Sequence, residues 1–417
     1  MSVGPAASSS NRSAHPMTTT PSAINDTGTF VLSARHTAIQ ADARQLATRF
    51  ADRAGDVRQH FLDHSAIHPE LWADFRRHGW PGMALPAEYG GADGGLLGTA
   101  LVLETLAADN ITLWMPVLSA AIAHAMHLAG PGACGPPGLL RRVASGDAQL
   151  AMATTESHSG HNVFRTATEI FRDGPDFLVR GAKSITSGLD AADYVLIFGR
   201  PPTSGAEARG GYTAVLLDPR APGATMTELP MRFREGVRQY RLELDDVRVP
   251  RENLIGAEGQ GLLVMWPFTH VERVLTAALC VGLADYAITR SVERATSRVI
   301  AGSTPIGVHQ AISHPLAALH ARLEATRLFL YRAAACFDSG TDPSAVAAQA
   351  NMAKLLAADL AFDAADHAVQ VLGADAWDER NGWLDLYLDA RLARSGPVSN
   401  EFVLNYVAEH VLGLPTR

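Results

Sequence analysis

Glu272 is the side chain best suited to do chemistry in this 417-residue chain. It lies in the run Phe268-Thr269-His270-Val271-Glu272-Arg273-Val274-Leu275, where apolar residues flank a charged pair. The run continues from Thr276 to Ala284 almost without polar groups and reads as a buried helix. Burying a carboxylate is costly unless it is paired or put to use. Apolar surroundings raise its proton affinity, which suits a base that removes a weakly acidic C–H proton. The plain alternative is a helix-surface Glu-Arg pair, and the local sequence taken alone favours it. The remainder of the chain reverses that preference.

Other chemistries are poorly supported. Cys134, Cys280 and Cys336 are far apart and lack metal-ligand spacing, which fits buried thiols in a reducing cytoplasm. Sixteen histidines include no His-Glu-x-x-His pattern, so no metal is expected. The formal charge of −8, with no Lys/Arg-rich block, argues against nucleic acid as a partner.

The positioning elements fall into three stretches of different texture, after residues 1–30, whose Ser, Thr, Ala, Pro and Asn predict a disordered tail. Residues 31–148 read as helical. Ala38 to Arg53 repeats apolar groups at three- and four-residue spacing, and Pro69 suits the first turn of another helix. Thr99 to Ala108 is a further helix, and Ala84 to Gly91 is a loop. Ile111 to Gly130 carries no Asp, Glu, Lys or Arg, but Pro116, Ser119, His124 and His127 interrupt it. We expect a helix buried on all sides rather than a membrane span. Residues 149–260 carry short strand-like runs at Tyr194 to Phe198, Thr213 to Leu217 and Arg241 to Leu244, separated by turn residues. Residues 261–417 return to helix, including the long, alanine-rich Ala345 to Val371. Helices, then strands, then helices is an α+β plan with segregated elements.

This order and its punctuating motifs resemble the acyl-CoA dehydrogenase family over roughly residues 31–415. The segments that carry the resemblance are Leu85-Pro86-Ala87-Glu88-Tyr89-Gly90-Gly91, Ala153-Thr154-Thr155-Glu156, and Gly181-Ala182-Lys183-Ser184-Ile185-Thr186-Ser187-Gly188. Asp246 to Pro250, Asn253 to Gly256 and Gln370-Val371-Leu372-Gly373-Ala374 add to it. The resemblance implies an N-terminal all-α domain, a middle β-barrel-like domain and a C-terminal four-helix bundle, with FAD between the last two.

It also implies a reaction: α,β-dehydrogenation of an acyl thioester, carried by CoA or by a carrier protein. A carboxylate takes the proton α to the carbonyl and hydride passes from the β carbon to flavin N5. Thr154 and Thr155 would lie on the pyrimidine edge of the flavin, with His161, Ser184 and Thr186 near its ring. Arg298, Gln370 and Gly373 would reach FAD across a subunit interface, in a homodimer or homotetramer. Most family members carry the base late in the chain, where this sequence has Gly396 and Pro397. A branch that resembles isovaleryl-CoA and long-chain dehydrogenases carries it where Glu272-Arg273 stands. That makes Glu272 the expected base and Glu401 its rival. Arg273 would pair with a carboxylate or organise the loop near Gly396, whose N–H would serve the thioester carbonyl.

Several positions depart from the family pattern. His161 stands where a serine contacts flavin, and Ser184 where a tryptophan covers it. Arg298 is displaced in register, and Pro397 has no N–H to donate. Two further readings follow from these departures: a flavin-dependent monooxygenase on the same scaffold, and a flavin-poor partner subunit of a heteromeric dehydrogenase. The electron acceptor is a redox partner or oxygen.

Overall fold

The computed structural model describes residues 31–64, 66–160, 162–202, 211–231, 237–300, 302–340 and 342–415. The expected tail at residues 1–30 and His161 lie outside the described residues.

Among the described residues six helices come first: α1 (Ala34–Phe50), α2 (Ala54–His64), α3 (Pro69–Arg77), α4 (Gly95–Ala107), α5 (Trp114–Leu128) and α6 (Leu139–Ser145). Ser33 caps α1 by accepting from the His36 N–H, and Pro69 occupies the first turn of α3 as its fixed φ allows. The charge-free segment becomes α5, fifteen residues with most of its side chains buried. At about 1.5 Å per residue this is too short to cross a bilayer. No helix among the described residues is long and apolar enough to do so.

Among the described residues seven strands follow: β1 (Leu150–Ala153), β2 (Glu169–Asp173), β3 (Asp176–Ser187), β4 (Tyr194–Gly199), β5 (Thr213–Leu217), β6 (Ala224–Leu229) and β7 (Gln239–Val249). They form a three-stranded sheet ordered β1-β4-β5 and a four-stranded sheet ordered β2-β3-β7-β6. β1 pairs with β4 in parallel, and the remaining ladders are antiparallel. Strand side chains alternate between faces, and the alternation decides the packing. Leu150, Met152, Leu196, Phe198, Ala214 and Leu216 enter the helical core. Their neighbours Ala151, Ala153, Val195, Ile197, Val215 and Leu217 enter a second core shared with Phe177, Val179, Leu242 and Val247 of the other sheet. The smaller sheet is therefore buried on both faces, which is why β4 and β5 read as unbroken apolar runs. Two stacked sheets, rather than one closed barrel, make up the middle region.

Among the described residues five further helices follow: α7 (Leu262–Ser297), α8 (Gln310–Asp338), α9 (Pro343–Leu372), α10 (Trp383–Ala393) and α11 (Asn400–Tyr406). α7 is the central pillar, packed on α4 and α5 on one side and on α8, α9 and α10 on the other. Glycine permits the closest of these contacts. A Cβ at Gly282 would sit 2.4 Å from the Glu104 carbonyl oxygen of α4. Asp338 at the end of α8 accepts from the Leu96 and Leu97 N–H groups at 2.7 and 2.9 Å, capping α4 from another helix.

Candidate active site

Glu272 lies one-third of the way along α7 and lines a cavity of about 510 Å³. Thr154 enters this cavity from the end of β1, Asn162 to Phe164 from the following loop, Asn351 from α9, and Pro397 and Val398 from the loop after α10. Met265, Trp266, Phe268 and Phe402 make most of the wall apolar, and the Phe164 and Trp266 rings approach at 5.9 Å between centroids. Glu272 makes no hydrogen bond or ion pair among the described residues. Burial pushes its carboxyl up to about 7, against the opposing positive charges of Arg273 and Lys354. A carboxyl half-protonated near neutrality, facing an apolar chamber, has the properties of a general base for a C–H proton.

Arg273 shares the cavity, but it forms no ion pair among the described residues and its buried Nε has no partner. The expected carboxylate partner is absent there because Glu272 and Arg273, adjacent on a helix, point about 100° apart. Burial lowers the Arg273 pKa from its ordinary value. The loop at Gly396 is tied down by Lys354 instead, whose Nζ donates to Val398 O at 2.6 Å and to Asn400 Oδ1 at 2.7 Å. Gly396 also differs from expectation. Its N–H donates to Leu392 O at 2.9 Å as the chain leaves α10, so it is not free for a substrate carbonyl. Glu401 is exposed in the first turn of α11, and hydrogen bonding, including that from Ser399, lowers its pKa. It does not line the Glu272 cavity.

The threonine and serine positions cluster behind the cavity. The Ser184 N–H donates to Thr155 O at 2.8 Å, and the Ser184 and Ser157 hydroxyls are 2.7 Å apart. A bulge between Lys183 and Thr186 interrupts the β3–β7 ladder at this point, and such irregularities often re-aim side chains beside a site. Thr186 Oγ1 is buried without a partner among the described residues. Sequence reasoning missed what holds this corner. The buried Glu156 carboxylate accepts from Lys183 Nζ at 2.7 Å, Ala167 N at 2.7 Å and Thr168 Oγ1 at 2.6 Å, and from the Thr166 hydroxyl.

Arg298, Gln370 and Gly373 come together elsewhere. They line a second cavity of about 870 Å³ with Arg294, His309 and His367. Arg298 lies 26 residues beyond Glu272, just past the end of the same helix, which places them roughly 39 Å apart at about 1.5 Å per residue. Within one chain the two groups of residues cannot touch the same part of a ligand.

Comparison with known proteins matches residues 33–133 to the N-terminal domain and residues 259–412 to the C-terminal domain of acyl-CoA dehydrogenases. The acyl-CoA dehydrogenase FadE12 of Mycobacterium tuberculosis is 37% identical over 363 residues, covering 86% of this chain and 92% of that protein. The chain belongs to the acyl-CoA dehydrogenase family. Cyclohex-1-ene-1-carbonyl-CoA dehydrogenase of Geobacter metallireducens is 31% identical, covering 84% of this chain and 91% of that one. The butyryl-CoA dehydrogenase structure from Megasphaera elsdenii superposes with a TM-score of 0.81 at 25% identity, over 92% of this chain and all of that one. As a family member the chain is an oxidoreductase that dehydrogenates acyl-CoA with FAD as cofactor. The residues present offer polar groups that fit such a cofactor: Thr186 Oγ1 on β3 is buried without a partner among the described residues, and Thr154, just past β1, lines the Glu272 cavity.

Proposed function

We propose that Glu272 is the base of this dehydrogenase, abstracting the proton α to the thioester carbonyl inside the cavity between the sheets and α7. The observation that carries the reading is the Glu272 carboxylate itself, unpaired among the described residues and lining the cavity with Thr154 and Phe164. FAD, when bound, supplies the acceptor for the β-carbon hydride. Thr154, Thr155, Ser184 and Thr186 would hold its ring, by backbone and hydroxyl hydrogen bonds. Arg298, Gln370 and Gly373 would hold another part of it in a second copy, in keeping with a homo-oligomer. Phe164, Trp266, Phe268, Val398 and Phe402 give the cavity an apolar lining, which disfavours the ionised carboxylate and keeps the proton affinity of Glu272 high enough for the transfer. Arg273 offsets part of the burial cost of the ionised carboxylate.

The proposal extends to a cytoplasmic enzyme that returns its electrons to a redox partner or to oxygen. The test is Glu272→Gln, assayed by anaerobic bleaching of the flavin absorbance with butyryl-CoA and cyclohexane-1-carbonyl-CoA. We expect retained yellow colour and a loss of bleaching rate of about two to four orders of magnitude. Bleaching at the wild-type rate removes Glu272 from the role.

A further inference from the structure

Lys354 is fully buried within α9, in a stretch dominated by alanine and leucine. A buried ammonium is expensive unless its protons are used, and this one is committed to the loop after α10. Val398 O and Asn400 Oδ1 accept from Nζ at 2.6 and 2.7 Å. Asn400 turns its other end to Asp359, donating from Nδ2 to Oδ1 at 2.9 Å, and the same Asp359 oxygen meets Arg394 Nε at 2.9 Å. The loop is therefore fastened to α9 at Arg394, Val398 and Asn400. Val398 lines the cavity opposite Glu272, and Asn351, three residues before Lys354, lines it too.

We propose that Lys354 is a positioning residue for Glu272: its bonds to Val398 O and Asn400 Oδ1 hold the loop whose Pro397 and Val398 line the Glu272 cavity, and they keep a buried positive charge beside that cavity. The proposal rests on the reading of Glu272 as base. The charged and titratable groups around the two are few. Arg273 and Cys280 of α7, Asp359 of α9 and Glu401 of α11 act on Lys354. Arg273 and Lys354 act on Glu272, whose cavity also holds His270 and Tyr406. Burial moves Lys354 down to about 8 and Glu272 up to about 7, so desolvation disfavours the charged form of each and nearby opposite charges offset only part of it. Without the ammonium, the ionised Glu272 loses one of its two opposing charges and its midpoint rises.

The experiment is a pH titration of the protonated carboxyl stretch of Glu272 by difference infrared spectroscopy. The band is assigned by its disappearance in Glu272→Gln. Lys354→Gln removes the charge while keeping a donor for the loop, and Lys354→Met removes both. Both variants are checked for fold by circular dichroism. The expected result is a Glu272 midpoint raised by about one pH unit in both. An unchanged midpoint in either folded variant overturns the proposal. The infrared readout follows the proton whether or not an acyl-CoA is turned over. Normal bleaching by Glu272→Gln would therefore sink the base assignment separately, and an unmoved band would sink the role of Lys354 alone.

Discussion

Lys183 donates to Glu156 across 2.7 Å, with both side chains buried, directly behind the backbone bond that joins Ser184 to Thr155. All three Lys183 protons are used, because Nζ also reaches Thr166 Oγ1 at 3.1 Å and Phe198 O at 3.2 Å. The pair ties the end of β1, the loop through Thr168 and strand β3 into one corner. That corner carries most of the residues proposed to hold the flavin ring.

Lys183→Met should destabilise the protein strongly. It leaves Glu156 buried without its counter-ion, and breaking a buried pair from one side costs about 3–5 kcal/mol. Burial raises the Glu156 pKa, but Lys183 and the Thr166 and Thr168 hydroxyls outweigh it and hold the carboxyl at about 2. Its folded value lies below the ordinary 4.5, so its stabilisation is present above pH 4.5 and is lost as pH falls toward 2. Urea unfolding at pH 7 checks the prediction, together with the fraction of protein that retains FAD after gel filtration. A midpoint equal to that of wild type would show the pair to be dispensable.

Glu272→Gln should stabilise the protein at alkaline pH. The folded pKa of Glu272 is raised from 4.5 to about 7 by burial, so the sign is opposite to that of Glu156. Wild-type stability is fully present below pH 4.5 and declines as pH rises through 7, because the carboxylate must ionise in apolar surroundings. The shift corresponds to about 3 kcal/mol at most, at roughly 1.4 kcal/mol per pH unit. Thermal melts at pH 5 and pH 8.5 provide the comparison. The variant should match wild type at the lower pH and melt several degrees higher at the upper one. Equal melting temperatures at both would mean that the carboxylate is solvated.

The sequence displays what apolar context makes conspicuous. Glu272 stood out because a charge interrupts a run that is otherwise core, and β4 and β5 because both faces of their sheet are buried. β2 and β6 were not legible. They are edge strands, and one face of each meets water, so Glu169–Asp173 and Ala224–Leu229 read as mixed polar loop. Lys354 escaped for a related reason. Asn351, Lys354 and Asp359 on an alanine-rich helix read as its polar stripe, although Lys354 is fully buried against Val398 and Asn400, some forty-five residues away in sequence. The turn bond from the Gly396 N–H to Leu392 O leaves no mark in the sequence either. The cofactor roles came from motif resemblance rather than periodicity, since neither composition nor spacing distinguishes Thr186 from an ordinary strand threonine.

Two inactive variants should restore activity to each other. Arg298, with Gln370 and Gly373, lines a cavity at the far end of α7 from Glu272. At roughly 39 Å separation along the helix, the two sets serve one cofactor only if they come from different copies. Arg298→Glu reverses a charge proposed to meet the cofactor phosphate of a neighbouring copy, and it should lower FAD retention and bleaching in the purified variant. Glu272→Gln should retain FAD and not bleach. When the two are co-expressed with different affinity tags and the mixed species is isolated, one kind of site combines Glu272 of the first chain with Arg298 of the second. In the isolated mixed pair of a two-fold assembly one site of the two, about half of the total, is of this kind. Bleaching by butyryl-CoA or cyclohexane-1-carbonyl-CoA, whichever reduces the wild type, should recover to about that fraction. Recovery no greater than the sum of the separate variants would place Arg298 outside the cofactor site and leave the second cavity without a role in the reaction.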